Sequence, residues 1–307
     1  MSAFMPKVMA AAKSVIYAVR PESFPEGFRL RLGYVFHTEA VFQKSIFDRH
    51  LAFLKSFASL TGTKPICTVM TPANARTRRG MNSHGVSDGV FVDRVRSLAE
   101  YSTLGYHGHF YFSEKDYRMP EAEIRCNNYL DSVVREQFSR EVAWFDENGL
   151  SHGGIYAAGW WFMNAPMQRI LMENAFDLDF SFSKSPWFHN PYSHELMRAH
   201  GISTGEPFRV RWSGREIFCV QNLVGCHTTP FPDDFFRSLR TLRDSESSQW
   251  LAVTNSHDFD LDVKNRLNCL EALLKSGSVE FMSASAIRTE AAKVGTAYPI
   301  VDLGEDA

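Results

Sequence analysis

The sequence has no CxxC pair among its five cysteines, at 67, 126, 219, 226 and 269. That excludes a zinc ribbon and argues against a disulfide framework, so reduced thiols in a cytoplasmic protein are expected. No Gly-rich GxGxxG turn follows the first apolar strand, which counts against a dinucleotide fold. Residues 185–193 contain no GxSxG, so a serine-esterase reading finds no support there. Neither sign of charge dominates: the formal net charge is −2, which argues against a dedicated nucleic-acid binder. No internal repeat or low-complexity tract is present. Residues 1–20 are the one candidate targeting segment. Lys13 interrupts an apolar run too short for a membrane span and without a clean cleavage site, so a small docking helix is expected.

What is present is a hydrophobic content of 44% over 307 residues, enough for one large α/β domain. After a lead-in with Pro21, Pro25 and Gly27, strand and helix patterns alternate. Strands are expected at 29–36, 64–70, 103–112, 153–160, 178–182, 249–256 and 279–283. Helices are expected at 40–60, 89–101, 121–147, 163–175, 232–243, 261–275 and 284–294. Residues 72–88, rich in Gly, Asn and Arg, read as a long functional loop. Residues 184–230 break the alternation and read as an insertion on the barrel, with a hairpin of Phe208–Trp212 and Glu216–Val220 turning at Ser213-Gly214. About seven βα units favour one parallel barrel over an open sheet. The chain is thus expected to form a single domain over 1–307, with 1–27 as an N-terminal extension.

Three of these strands end in chemistry-bearing residues. Arg29–Phe36 runs into His37-Thr-Glu39, Thr103-Leu-Gly-Tyr runs into His107-Gly-His109, and Trp250–Ser256 runs into His257-Asp258. Residues two apart on an extended chain face the same side, so His107 and His109 can address one point. In a parallel barrel the C-terminal rim of the strands is where such residues meet.

In order and spacing these pieces resemble the polysaccharide deacetylase (NodB-homology) superfamily over roughly residues 29–290. The pieces are Val35-Phe-His-Thr-Glu39, Gly105-Tyr-His-Gly-His-Phe-Tyr111, Ala157-Ala-Gly-Trp-Trp161, Asp179-Phe-Ser181 and Ser256-His-Asp-Phe-Asp-Leu261. The resemblance implies a distorted (β/α)7 barrel that removes acyl groups from amino sugars with one divalent metal ion, zinc being the first choice. The chain departs from the pattern at three places. His37 stands where an acidic base is usual, Tyr111 where a second metal histidine is usual, and Ala157 where an arginine is usual. It looks like an outlying branch, near enzymes of O-antigen and lipid-linked sugar biosynthesis.

On that reading Glu39, His107 and His109 are the metal ligands, two imidazoles and a carboxylate with a position left for water. Otherwise the histidines are hydrogen-bonded rim residues. His37 is the general base, a further ligand, or a structural hydrogen-bond donor. The resemblance implies that His257 protonates the leaving amine, with Asp258 and Asp260 orienting it or favouring the next helix start. Trp160, Trp161 and Trp187 are candidate sugar platforms or packing residues, and Tyr111 joins the substrate group. Arg76, Arg78 and Arg79 could grip the phosphates of a nucleotide- or lipid-linked sugar, or lie solvated on the loop. The alternative to the enzyme is a barrel of the same kind that binds carbohydrate, or serves in assembly, without catalysis.

Overall fold

The computed structural model describes residues 26–113, 122–184, 190–223, 249–293 and 298–304. The expected 1–20 docking helix, the 232–243 helix and Trp187 lie outside them. The strands are β1 (Arg29–Thr38), β2 (Ile66–Val69), β3 (Thr103–Gly108), β4 (Ile155–Ala158), β5 (Leu178–Asp179), β6 (Phe208–Trp212), β7 (Arg215–Cys219), β8 (Gln249–His257), β9 (Val279–Met282) and β10 (Ile300–Asp302). The helices are α1 (Lys44–Thr61), α2 (Ala75–Ser83), α3 (Asp88–Ala99), α4 (Asp131–Glu147), α5 (Ala165–Glu173), α6 (Pro191–Ala199), α7 (Val263–Lys275) and α8 (Ala284–Ala291).

All strands join one sheet in the order β10-β6-β7-β5-β4-β3-β2-β1-β8, with β9 also on β1. Every pairing is parallel except that of β6 with β7. The sheet curls until the run just past β7 meets β8. Asn222 bridges Val253 in parallel, Leu223 N donates to Val253 O, and Val253 N donates to Gln221 O. The ring is distorted at β1, whose residues 30–33 pair with β9 while residues 35–38 pair with β2. This is a distorted (β/α) barrel. The expected hairpin is present, and its second strand also takes a place in the barrel wall beside β5.

Burial on both faces explains the near-continuous apolar runs of the strands. Inside the ring, Val35, Ile66, Ile155, Ala157, Leu178, Phe218, Leu251 and Val253 form one cluster. Outside it, Tyr34 and Phe36 of β1 pack edge-on against Phe57 and Phe53 of α1, with ring centroids 5.5 and 5.4 Å apart. The two-residue period then decides the rim. Two steps on from inward-facing Val35 comes His37, and four steps on from Val253 comes His257. The register pairs His37 with His257 and His107 with Ala157. The apolar interior therefore ends in imidazoles at one end of the barrel. No helix among the described residues is long and apolar enough to cross a membrane.

Two expectations change here. Residues 75–83 are helical, not looped. Asn74 Oδ1 accepts from Arg76 N at 3.0 Å and caps the helix, while Thr77 and Met81 bury its one apolar side. Gly80 opposes that helix by propensity, yet an added Cβ there would sit 2.4 Å from the Phe42 ring, so glycine is needed for the packing. The helix expected over 121–147 begins only at Asp131. Residues 122–124 are instead laid against the chain past β3, with Phe112 N donating to Ala122 O and Ile124 N to Phe110 O.

Candidate metal centre

Glu39, just past β1, is buried at the middle of the site. The loop that carries it is held by Asp258, whose carboxylate accepts from Glu39 N at 3.2 Å and Ala40 N at 2.8 Å. Thus Asp258 holds Glu39 in place through its backbone. Three imidazole nitrogens surround Glu39 Oε1: His107 Nε2 at 3.3 Å, His257 Nε2 at 3.3 Å and His109 Nε2 at 3.7 Å. Arg76 Nη1 lies 2.8 Å from the other oxygen, Oε2.

The outer nitrogens decide what the inner ones present. His107 Nδ1 lies 2.8 Å from the Ala157 carbonyl, which can only accept, so Nδ1 carries the proton and Nε2 presents its lone pair. His109 Nδ1 donates to Glu123 Oε1 at 2.7 Å, which turns His109 Nε2 inward to within 3.2 Å of His107 Nε2. Glu39 Oε1, His107 Nε2 and His109 Nε2 therefore form a triangle with edges of 3.2, 3.3 and 3.7 Å. Three acceptors this close repel unless positive charge lies among them.

Here a proton on His109 supplies that charge. Burial lowers its pKa, but the Glu123 and Glu39 carboxylates outweigh burial and push it up to about 9. His107 is driven the other way by burial, to about 4. A divalent ion is the other way to meet the demand. Tetrahedral sites with ligands at about 2.0–2.1 Å have donor–donor edges of roughly 3.4 Å, so these three residues fit one. Glu39 also groups with His37 and His257 within ligand reach.

His37 is buried beside His107, with ring centroids 4.3 Å apart, and its pKa is lowered well below the ordinary value by burial and by the neighbouring imidazoles. His257 faces it edge-on at 5.4 Å. Burial lowers the His257 pKa too, but Asp260 (3.6 Å from Nδ1) and Glu39 outweigh it and push it up to about 10. Their proton affinities are thus shifted in opposite directions, and both rings line a cavity of about 220 Å³.

Arg76, Trp160, Trp161, Phe259 and Asp260 also line that cavity. Trp160 and Trp161 form a tight turn after β4, with φ of 48° and 57° in the left-handed region, where side chains cost about 1–3 kcal/mol each. Tyr111 is buried and does not line the cavity; it interacts with Arg76. Of the three arginines only Arg76 reaches the cavity. Arg78 pairs with Asp88 at the surface, and Arg79 is exposed outside the lining. Only Arg76 is thus placed for the three-arginine phosphate grip, with Arg78 taken up by Asp88. A GxSxG run does occur at 85–89, but Ser87 there caps α3 by accepting from Val90 N, so it is no nucleophile elbow.

Sequence reasoning missed Glu123, Phe259 and the Arg76–Glu39 pair. Glu123 lay hidden inside an expected helix, although Tyr111 and Glu123 bridge as antiparallel neighbours.

No protein-family model matches the chain, and no curated protein matches it in sequence. Solved structures do match in fold. One is a protein described as a polysaccharide deacetylase from Mycobacterium smegmatis, with a TM-score of 0.56 and 13% identity over 93% of this chain and 98% of that one. Another is a 4-alpha-glucanotransferase from Thermococcus litoralis, with a TM-score of 0.54 and 11% identity over 90% of this chain and 42% of that one. The chain thus has the barrel fold seen in the polysaccharide deacetylases, at a sequence distance where likeness is one of fold.

Proposed function

We propose that this protein is a metal-dependent hydrolase that removes an N-acyl group, acetyl or formyl, from an amino sugar. The observation that carries this is the donor triangle of Glu39, His107 and His109, with both outer imidazole nitrogens already engaged. A divalent ion held there, zinc for choice, would polarise the acyl carbonyl and acidify a water molecule. His37, kept neutral by burial, accepts the proton of the attacking water as its oxygen bonds to the acyl carbon. His257, whose Nδ1 faces the Asp260 carboxylate, gives its proton to the sugar nitrogen as the C–N bond breaks. The products are the free carboxylic acid and the amino sugar.

The aromatic rim supports a carbohydrate. Trp160 is 55% exposed and Phe259 39% exposed, both on the same cavity. Exposed aromatic faces beside a cleft that holds a few charged and imidazole groups suit the apolar face of a sugar ring. Phe259 is itself stacked on His257, with ring centroids 4.5 Å apart, which would bring a bound sugar to the proton donor.

The test is release of acetate or formate from a panel of N-acylated amino sugars, with zinc, cobalt or manganese supplied and then removed by chelation. Turnover that follows the metal is the expected result. Metal binding and sugar binding without turnover would move the protein to the non-catalytic alternative. Absence of metal binding would end the proposal.

Gly159 offers a second check. A Cβ added there would lie 2.3 Å from the His109 ring, so the imidazole occupies the space that glycine leaves. Gly159→Ala is expected to push His109 off the triangle and weaken metal binding by about tenfold or more. A metal titration giving the wild-type affinity would show that His109 is not a ligand.

A further inference from the structure

We propose that Glu123 is a positioning residue for metal binding, acting through His109 as the charged outer partner of that ligand; this rests on the metal-centre reading above. The two histidines of the triangle are held by chemically different groups. The Nδ1 of His107 donates to a neutral carbonyl, that of Ala157, at 2.8 Å. The Nδ1 of His109 donates to a carboxylate, Glu123 Oε1, at 2.7 Å. An anion on the outer nitrogen makes the inner nitrogen a stronger donor to a cation and fixes the tautomer and ring orientation.

The placement of Glu123 is built into the backbone. The segment that carries it is zipped to the chain immediately past His109 by Ile124 N to Phe110 O (2.8 Å) and Phe112 N to Ala122 O (2.7 Å). Imidazole and carboxylate therefore ride on two paired strands and cannot drift apart separately. Glu123 is buried, and its other oxygen lies 3.5 Å from Arg125 Nη2. The Arg125 guanidinium in turn lies over the Trp160 ring, 4.7 Å from its centroid. Arg125 thus occupies the far oxygen and leaves Oε1 for His109. A carboxylate used only to fill space or satisfy a histidine has no need of charge, since an amide oxygen would serve. That difference is the handle for the test.

The full chain is titrated with zinc and with cobalt at a series of pH values, so that competition by the His109 proton is separated from the affinity of the deprotonated site, as wild type, Glu123→Gln, Glu123→Ala and His107→Ala, and the metal-free proteins are melted in parallel. Glu123→Gln keeps an acceptor for Nδ1–H and loses the charge. It is expected to bind metal about 10–100-fold more weakly, the usual loss for an outer-shell partner. Glu123→Ala is expected to bind at least as weakly. Wild-type affinity in Glu123→Gln would overturn the proposal, and a lowered melting temperature with unchanged affinity would make Glu123 structural. If Glu123→Ala does not fold, the near-isosteric Gln variant still decides. If wild type and His107→Ala bind alike, or neither binds, the metal-centre reading has failed and this proposal falls with it. If His107→Ala alone loses metal, only the role of Glu123 is wrong.

Discussion

His107→Ala should remove the metal and the turnover of this protein together. His107 is fully buried at the end of β3, neutral, and locked by Ala157 O so that its Nε2 faces Glu39 and His109. The His109 ring cannot swing over to replace that nitrogen, because it is pinned between Glu123 and the Gly159 backbone. The loss should exceed the 10–100-fold typical of outer-shell partners, since a ligand itself is removed. Metal content after dialysis and acid release from an N-acylated sugar measure the two effects. The melting temperature of the metal-free variant separates loss of the site from loss of the fold. If the variant is folded, metal-bound and as active as wild type, His107 is a structural rim residue.

The rim itself was legible because a parallel barrel ties function to strand ends. An apolar run that stops at a histidine carries both the strand and its direction, and β1, β3 and β8 each do this at His37, His107 and His257. The two-residue period also made the His107–His109 convergence legible. What stayed hidden depends on pairings between distant segments. Nothing local to Glu123 says that it meets His109, and nothing local to Arg76 says that it meets Glu39. The left-handed turn at Trp160 and Trp161 has no local signal beyond Gly159, whose task is to make room for His109. The α2 helix was concealed by an arginine-rich surface, and only Asn74, as a cap, announced it. Closure of the barrel past β7 rests on Asn222 meeting Val253, a contact that no periodicity encodes.

His257→Ala should keep the metal and lose turnover by about 10²–10⁴-fold, the range for a general acid. The two histidine variants therefore separate ligand from acid. His257 sits at the end of β8, its Nε2 3.3 Å from Glu39 Oε1 and its Nδ1 toward Asp260. Burial disfavours its proton, yet without an ion in the site the two carboxylates outweigh burial and raise the pKa to about 10; a cation bound to Glu39 lowers it from there. A donor must be protonated, so wild-type turnover should fall as pH rises through the pKa that His257 has in the working enzyme. His257→Gln should lose that alkaline limb along with the rate. Asp260→Asn removes one of the two raising charges and should move the limb to lower pH while leaving metal content unchanged. Metal analysis alongside pH profiles of turnover reads all three variants. A His257→Ala protein that loses its metal would place His257 among the ligands, on the His37 side of Glu39. A metal-replete variant with wild-type turnover and an unmoved alkaline limb would take the proton donor away from His257 altogether.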